Sequence, residues 1–195
     1  IHDTKILDAF NAIPRHFFLD LAFDEQAYTN MAFQIGSGQS ISHPFTVAFQ
    51  TELLELEKSM KVLEFGTGSG FQTCILCQLG ARFYSIERHQ PLHVAARRIL
   101  DFFRFNASLF FGDGYKGLPA FAPFDGIIIT AAAPALPEEL LDQLSPTGVL
   151  IVPIGAVEAE QRMLKVRRGK DGEWLQEDLG SFRFVPMLKD VSSAR

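Results

Sequence analysis

The chain of 195 residues has only two cysteines and no surplus of positive charge. It also lacks internal repeats, low-complexity tracts, linkers and any run of about 18 apolar residues, and each absence removes a class. Without a long apolar run, and with no basic-then-apolar leader at the start, a soluble cytoplasmic protein is expected, although the numbering opens on Ile1 rather than methionine. A formal net charge of -5 gives no overall attraction for phosphate backbones or anionic bilayers, so neither nucleic acid nor membrane is expected as a partner. A monomer is expected. Cys74 and Cys77 form a C-x-x-C pair, but no second pair exists to complete a four-thiolate zinc site. With Phe71, Ile75 and Leu79 around them they read as helix core rather than as a redox dithiol. His89 and His93 stand four apart, yet Pro91 starts the helix and leaves His89 outside it, so no metal site is expected.

What the chain does have is 47% hydrophobic residues, enough for one well-buried domain over 1–195. Ile6, Leu7, Phe10 and Ile13 are spaced as a helix that Pro14 stops, and Pro44 opens a second helix with Phe45, Phe49, Leu53 and Leu56 on one face. From Met60 onward the rhythm changes. The strand candidates "MKVLEF", "ARFYSIE", "ASLFF", "FDGIIIT" and "GVLIVPIG" alternate with helices at about 71–79, 90–104 and 137–144. Strands apolar along their length and alternating with helices predict an α/β fold: a doubly wound, mostly parallel, Rossmann-like sheet. After Gly155, Lys170-Asp171-Gly172 reads as a turn between antiparallel strands at the sheet edge. The domain thus divides into N-terminal helices and a substrate loop (1–59), a cofactor-binding α/β core (60–155) and C-terminal strands (156–195).

Ligands on such sheets bind beyond the carboxyl ends of the strands, so the residues there carry the information. The first strand runs into Gly66-Thr67-Gly68-Ser69-Gly70, where missing Cβ atoms admit a close backbone approach at a helix amino end. After the second strand comes Glu87, suited to accept from both ribose hydroxyls, and after the third comes Asp113, suited to accept from an exocyclic amine. Each has a plainer alternative: a structural turn, a solvated strand-end charge, and a turn or helix cap. The spacing is G-x-G-x-G, with Phe71 where a dinucleotide fingerprint would need its last glycine. Glu64 before the loop suits an ammonium group better than a pyrophosphate. S-adenosylmethionine carries an ammonium, a ribose and an adenine, and no phosphate.

The combination of "IPRHFF", "IGSGQSISHP", "TELLEL", "VLEFGTGSGFQT", "YSIER", "GDGYKG", "APFDGIIITAAAP", "VLIVPIG" and "RFVPML", running from about Ile13 to Met187, resembles the protein-L-isoaspartate O-methyltransferase family. The glycine loop is generic to S-adenosylmethionine methyltransferases, whereas "GSGQSIS-x-P" and "RFVP" are specific to this family. The resemblance implies methyl transfer from S-adenosylmethionine to isoaspartyl residues of damaged peptides and proteins, leaving S-adenosylhomocysteine. It makes Ser42 the active-site residue and Gly66, Gly68, Glu87, Asp113 and Gly114 cofactor positions, with Ser40, Ile41, Glu64, Thr67, Gly70, Arg88 and Thr130 expected beside them. The peptide cleft is expected from Ser42, His43, Pro153, Ile154, Gly155, Arg183 and Val185. His43 stands where glutamine is frequent, Phe45 and Thr46 fall in a variable aromatic-Met pair, Phe71 replaces a common tyrosine, and a helical segment often found in relatives is absent before Ile1. Read from residues alone, Ser42 could equally be a helix cap. Two other readings stay open: a methyltransferase for a small molecule or RNA, and a non-catalytic adenosyl-binding module. "GSGQSIS" and "RFVP" favour the first reading, because a small-molecule enzyme has no need of an extended cleft built from both ends of the chain.

Overall fold

A computed structural model describes residues 1–156 and 158–192. Its helices are α1 (Thr4–Ala12), α2 (Pro44–Leu53), α3 (Phe71–Gln78), α4 (Gln90–Phe102) and α5 (Glu138–Leu141). The strands are β1 (Phe33–Gly36), β2 (Gln39–Ile41), β3 (Lys61–Phe65), β4 (Arg82–Glu87), β5 (Ser108–Phe111), β6 (Phe124–Ile129), β7 (Leu144–Ile154), β8 (Gln161–Arg168) and β9 (Trp174–Phe182). The main sheet has the order β5-β4-β3-β6-β7-β8-β9. Strands β5 to β7 run parallel, while β8 and β9 join antiparallel through the turn at Lys170-Asp171-Gly172.

The expected parallel sheet with an antiparallel edge is therefore present. Chain order reverses between β3 and β6, which puts the carboxyl ends of these two central strands at the position where such sheets bind ligands. Alternation along β3 separates the layers: Val62 joins the core shared with Phe71, Ile75, Ala96 and Leu100, and Leu63 and Phe65 join the core on the other face. The first face carries α1 to α4. Among the described residues the second carries α5 and short 3-10 turns, with Tyr115, Leu118 and Trp174 packed against the strand side chains.

Three expectations about elements need correction. The helix expected at 137–144 is a single turn, because Gln143 ends it by bonding Glu139 and Lys116 carbonyls and the chain enters β7 at Leu144. Val47, Gln50 and Thr51 of α2, with Leu54 just after it, form the buried face, whereas Phe49 and Leu53 are only partly buried and Phe45 is exposed. Polar residues fill that face because each is bonded: Gln50 Nε2 donates to the Ile129 carbonyl and Thr51 Oγ1 to that of Val47. Finally, β1 and β2 form a two-stranded hairpin between α1 and α2, where only helices and a loop were expected. Its turn holds Gly36, Ser37 and Gly38 at φ +92°, +53° and +68°. Glycine adopts that backbone freely.

Candidate active site

The glycine loop leaves β3 as its pattern demands. Gly66 has φ +89°, and a Cβ there would lie 2.7 Å from Thr130 Oγ1, so a side chain would displace β6 from the loop. Thr130 closes the crossover by donating its hydroxyl to the Phe65 and Gly66 carbonyls at 2.9 and 2.8 Å. Gly70 caps α3 at φ +84°.

Two cavities meet along this loop and share Ser40, Gly66, Gly68 and Thr130. The first has Phe65, Ile86, Glu87, Gly114, Val185 and Leu188 in its walls, the mixture of apolar side chains and a few polar groups usual for a small-molecule site. Glu87 is only 3% exposed, and both of its oxygens are aimed by backbone: Oε2 accepts from Gly68 N–H at 2.9 Å and Oε1 from His89 N–H at 2.8 Å. A carboxylate held this way keeps lone pairs on each oxygen for a diol. Burial holds the neighbouring His89 imidazole below its ordinary range, outweighing the opposing pull of Glu87. The second cavity is lined by Ile41, Ser42, Thr67, Ser69, Phe71 and Gln72. Ser42 therefore opens onto the loop beside the shared wall at Thr130.

Ser42 does not cap α2. The N-cap residue is His43, which makes no side-chain cap bond, and the N–H of Phe45 goes to Asn30 Oδ1 at 3.0 Å. This removes the structural alternative for the hydroxyl.

Three expected cofactor residues have protein partners of their own. Glu64 is wholly buried and outside the lining of both cavities, with Oε2 accepting from Thr73 and Ser85 hydroxyls, and burial raises its pKa to about 8 against those two bonds. Period-two alternation on β3 put Glu64 on the face covered by α3. Arg88 borders the first cavity, but its guanidinium donates to the carbonyls of Asp190 and Lys189 and so straps the C-terminal segment down. Asp113 accepts from Tyr115 N–H through Oδ1, and its neighbour Gly114 lines the cavity wall.

The peptide-cleft residues converge in part. Val185 lines the first cavity and Ser42 the second. Pro153 and Gly155 are joined to Ala133, whose neighbour Ala132 bonds Val185 and Met187, so the ends of β6, β7 and the C-terminal strap are laced together. His43 and Ile154 line neither cavity, and Arg183 is 81% exposed, 3.9 Å from Glu160. Residues missed in the sequence include Gln72, Leu188 and Asn30. Gln72 follows the loop directly and was within reach of a strand-end argument, but Asn30 lies fifteen residues from the N–H it caps and leaves no sequence signal.

Residues 1–192 match the family model described as Protein-L-isoaspartate(D-aspartate) O-methyltransferase (PCMT). A protein-L-isoaspartate O-methyltransferase of Flavobacterium psychrophilum is 49% identical over 191 residues, covering 97% of this chain and 89% of the relative. One of Vibrio atlanticus is 48% identical, covering 96% and 89%. Among solved structures, a protein-L-isoaspartate O-methyltransferase superposes with TM-score 0.87 at 27% identity over 97% of this chain and 62% of that one. A Plasmodium falciparum chain described as an enzyme of the same name, in complex with S-adenosyl-L-homocysteine, shares the fold at TM-score 0.83 and 22% identity, covering 97% and 93%. A G-x-G-x-G loop meeting a buried carboxyl group on one side and a serine on the other agrees with these matches, and the chain belongs to the protein-L-isoaspartate(D-aspartate) O-methyltransferase family.

Proposed function

We propose that the two joined cavities methylate the α-carboxylate of L-isoaspartyl residues, with Ser42 holding the carboxylate at the wall formed by Thr130 and the glycine loop. The enzyme is an S-adenosylmethionine-dependent protein-L-isoaspartate O-methyltransferase that acts on damaged peptides and proteins. The observation that carries the residue assignment is the sharing of Ser40, Gly66, Gly68 and Thr130 between the cavity lined by Glu87 and the cavity lined by Ser42.

The residues fit the cofactor. Glu87 would hold the ribose hydroxyls, Phe65, Ile86, Gly114 and Leu188 would enclose the base, and Gly66 and Gly68 would let the amino-acid end lie against backbone. When bound, S-adenosylmethionine supplies a sulfonium methyl that is already electrophilic. A peptide α-carboxylate, with a pKa near 4, is ionised at neutral pH, so no side chain here has to remove a proton. What the protein contributes is placement. The Ser42 hydroxyl, free of capping duty, can donate to one carboxylate oxygen and leave the other for attack, and well-oriented reactions draw roughly 7–11 kcal/mol from positioning. The C-terminal strap, fixed by Arg88, contributes Val185 and Leu188 to the cavity wall and restricts water there. The released ester is expected to cyclise to a succinimide and reopen in part as normal aspartate.

The acidic balance supports a protein without a nucleic-acid partner. We read it as a monomer acting in the cytoplasm. No helix among the described residues is long and apolar enough to cross a membrane. The deciding experiment compares an isoaspartyl peptide with its aspartyl twin. The normal side chain carries its carboxylate one carbon farther out, and a misplacement near 1 Å costs about 100-fold, so methylation of the isoaspartyl peptide should be faster by at least that factor. Equal rates would refute the assignment.

A further inference from the structure

Four phenylalanines run in file from α2 to the segment beyond β9. Phe45, in the first turn of α2, stacks on Phe49 one turn later with centroids 5.7 Å apart and planes at 16°. Phe49 stacks on Phe182 at 5.4 Å and 18°, and Phe182 meets Phe184 at 6.5 Å. The last three are partly buried against the core, but Phe45 is 49% exposed. An aromatic ring that lies outside the core yet continues an ordered stack is surface prepared for contact.

Gln161 holds the far end of this file in place. It is fully buried, and all three of its side-chain bonds are 2.8 Å long: Oε1 accepts from Phe184 N–H, and Nε2 donates to the carbonyls of Ala156 and Ala159. The helix that follows Ser42, the loop after β7 and the segment after β9 thus come together around one aromatic surface.

We propose that Phe45, backed by Phe49 and Phe182, forms the subsite for an apolar, preferably aromatic, side chain flanking the isoaspartyl residue, and so determines which damaged sites are methylated. The inference rests on the function proposed above. The occupant follows from continuity with the reaction centre. A peptide whose carboxylate lies at Ser42 must leave along the protein surface, and Phe45 is three residues from Ser42, at most about 11 Å of chain. An extended peptide rises about 3.3 Å per residue, so a flank within three residues of the isoaspartate reaches the ring. The charges nearby, exposed Arg183 and Glu160 at 3.9 Å from each other, are of opposite sign and select neither charge.

The test is a set of isoaspartyl peptides in which phenylalanine or glutamate is placed in turn at each of three positions on either side. At one or more positions phenylalanine should be preferred about tenfold in kcat/KM, mostly through KM, equivalent to ~1.4 kcal/mol. The phenylalanine-to-glutamate ratio should fall towards one in Phe45→Ser, take an intermediate value in Phe45→Leu, and persist in Phe102→Ser, which alters an exposed ring on α4. A ratio, unlike a rate, does not depend on how much protein is folded. Equal rates for all flanks in the wild type, or a preference that survives Phe45→Ser, would overturn the inference and leave the proposed function intact. Failure to methylate any isoaspartyl peptide would overturn both.

Discussion

Replacing Glu64 by glutamine should change how stability depends on pH while leaving the fold intact. Burial is the largest influence on this carboxyl; hydrogen bonds from Thr73 and Ser85 oppose it, and the charge of Glu87 adds to it. The group is therefore protonated in the fold near neutrality and ionised in the unfolded chain. Below pH 4.5 both states hold the proton and the group costs nothing. As pH rises towards 8 the unfolded chain gains stability by ionising while the fold does not, and above that the loss is complete. A pKa raised from 4.5 to about 8 corresponds, at roughly 1.4 kcal/mol per pH unit, to a ceiling of about 5 kcal/mol. Glutamine can accept the same two hydroxyl bonds through its amide oxygen. Its amide nitrogen would take the place of Oε1, which already has no partner, so the substitution should be nearly neutral at pH 5. Urea unfolding at intervals from pH 5 to 8.5 should show a wild-type stability that declines relative to Glu64→Gln, by several kcal/mol over the range. Parallel curves for the two proteins would refute the argument, because Glu64 would then titrate alike in both states.

Three further outcomes follow from the site. Glu87→Ala should weaken S-adenosylmethionine and S-adenosylhomocysteine together by about 10- to 150-fold in calorimetry, since both carry the same ribose; unchanged binding would remove Glu87 from the site. Ser42→Ala should lower turnover with cofactor affinity and melting temperature unchanged, whereas Asn30→Ala, which deletes the real cap of α2, should cost about 1 kcal/mol of stability; the reverse pattern would return the capping role to Ser42. Burial pushes the Cys77 thiol up to about 12 and that of Cys74 higher still, so neither should be labelled by a thiol reagent at pH 8 until the protein unfolds; fast labelling of the native protein would contradict this.

The features legible in the sequence were those governed by neighbours in the chain. A short apolar run feeding G-x-G-x-G has few ways to fold, and Glu87 at the end of the next strand fell into the same cavity because parallel strands end in register. Contacts between distant segments were harder to see. Nothing local told whether Glu64 faced the ligand or α3, and the geometry of the sheet decided it. The apolar pattern on α2 pointed to the Phe45 face, but the interior accepted Gln50 and Thr51 because carbonyls of β6 and of α2 itself were there to satisfy them. Arg88 borders the cavity as its position suggested, but its hydrogen-bond partners lie about a hundred residues downstream in a segment with no regular pattern. Asp113 was ambiguous in sequence, and in the fold its Oδ1 accepts from Tyr115 N–H beside the cavity wall at Gly114.

The walls of the first cavity come from Ser40, Gly66, Glu87, Thr130 and Val185, spread across most of the chain's length. No fragment made during synthesis holds more than part of them until the strap carrying Val185 has emerged, so the cofactor cannot act as a template for early folding. Its influence comes at the end. A ligand that recognises only the finished arrangement stabilises it by mass action, about 2.7 kcal/mol at a hundred times its dissociation constant. Because the contacts it would bridge join the β1-β2 hairpin, the ends of β3, β4 and β6 and the C-terminal strap, that gain should appear as resistance to global unfolding rather than protection of one loop. The cell's supply of methyl donor would then influence how long this protein survives as well as how fast it works.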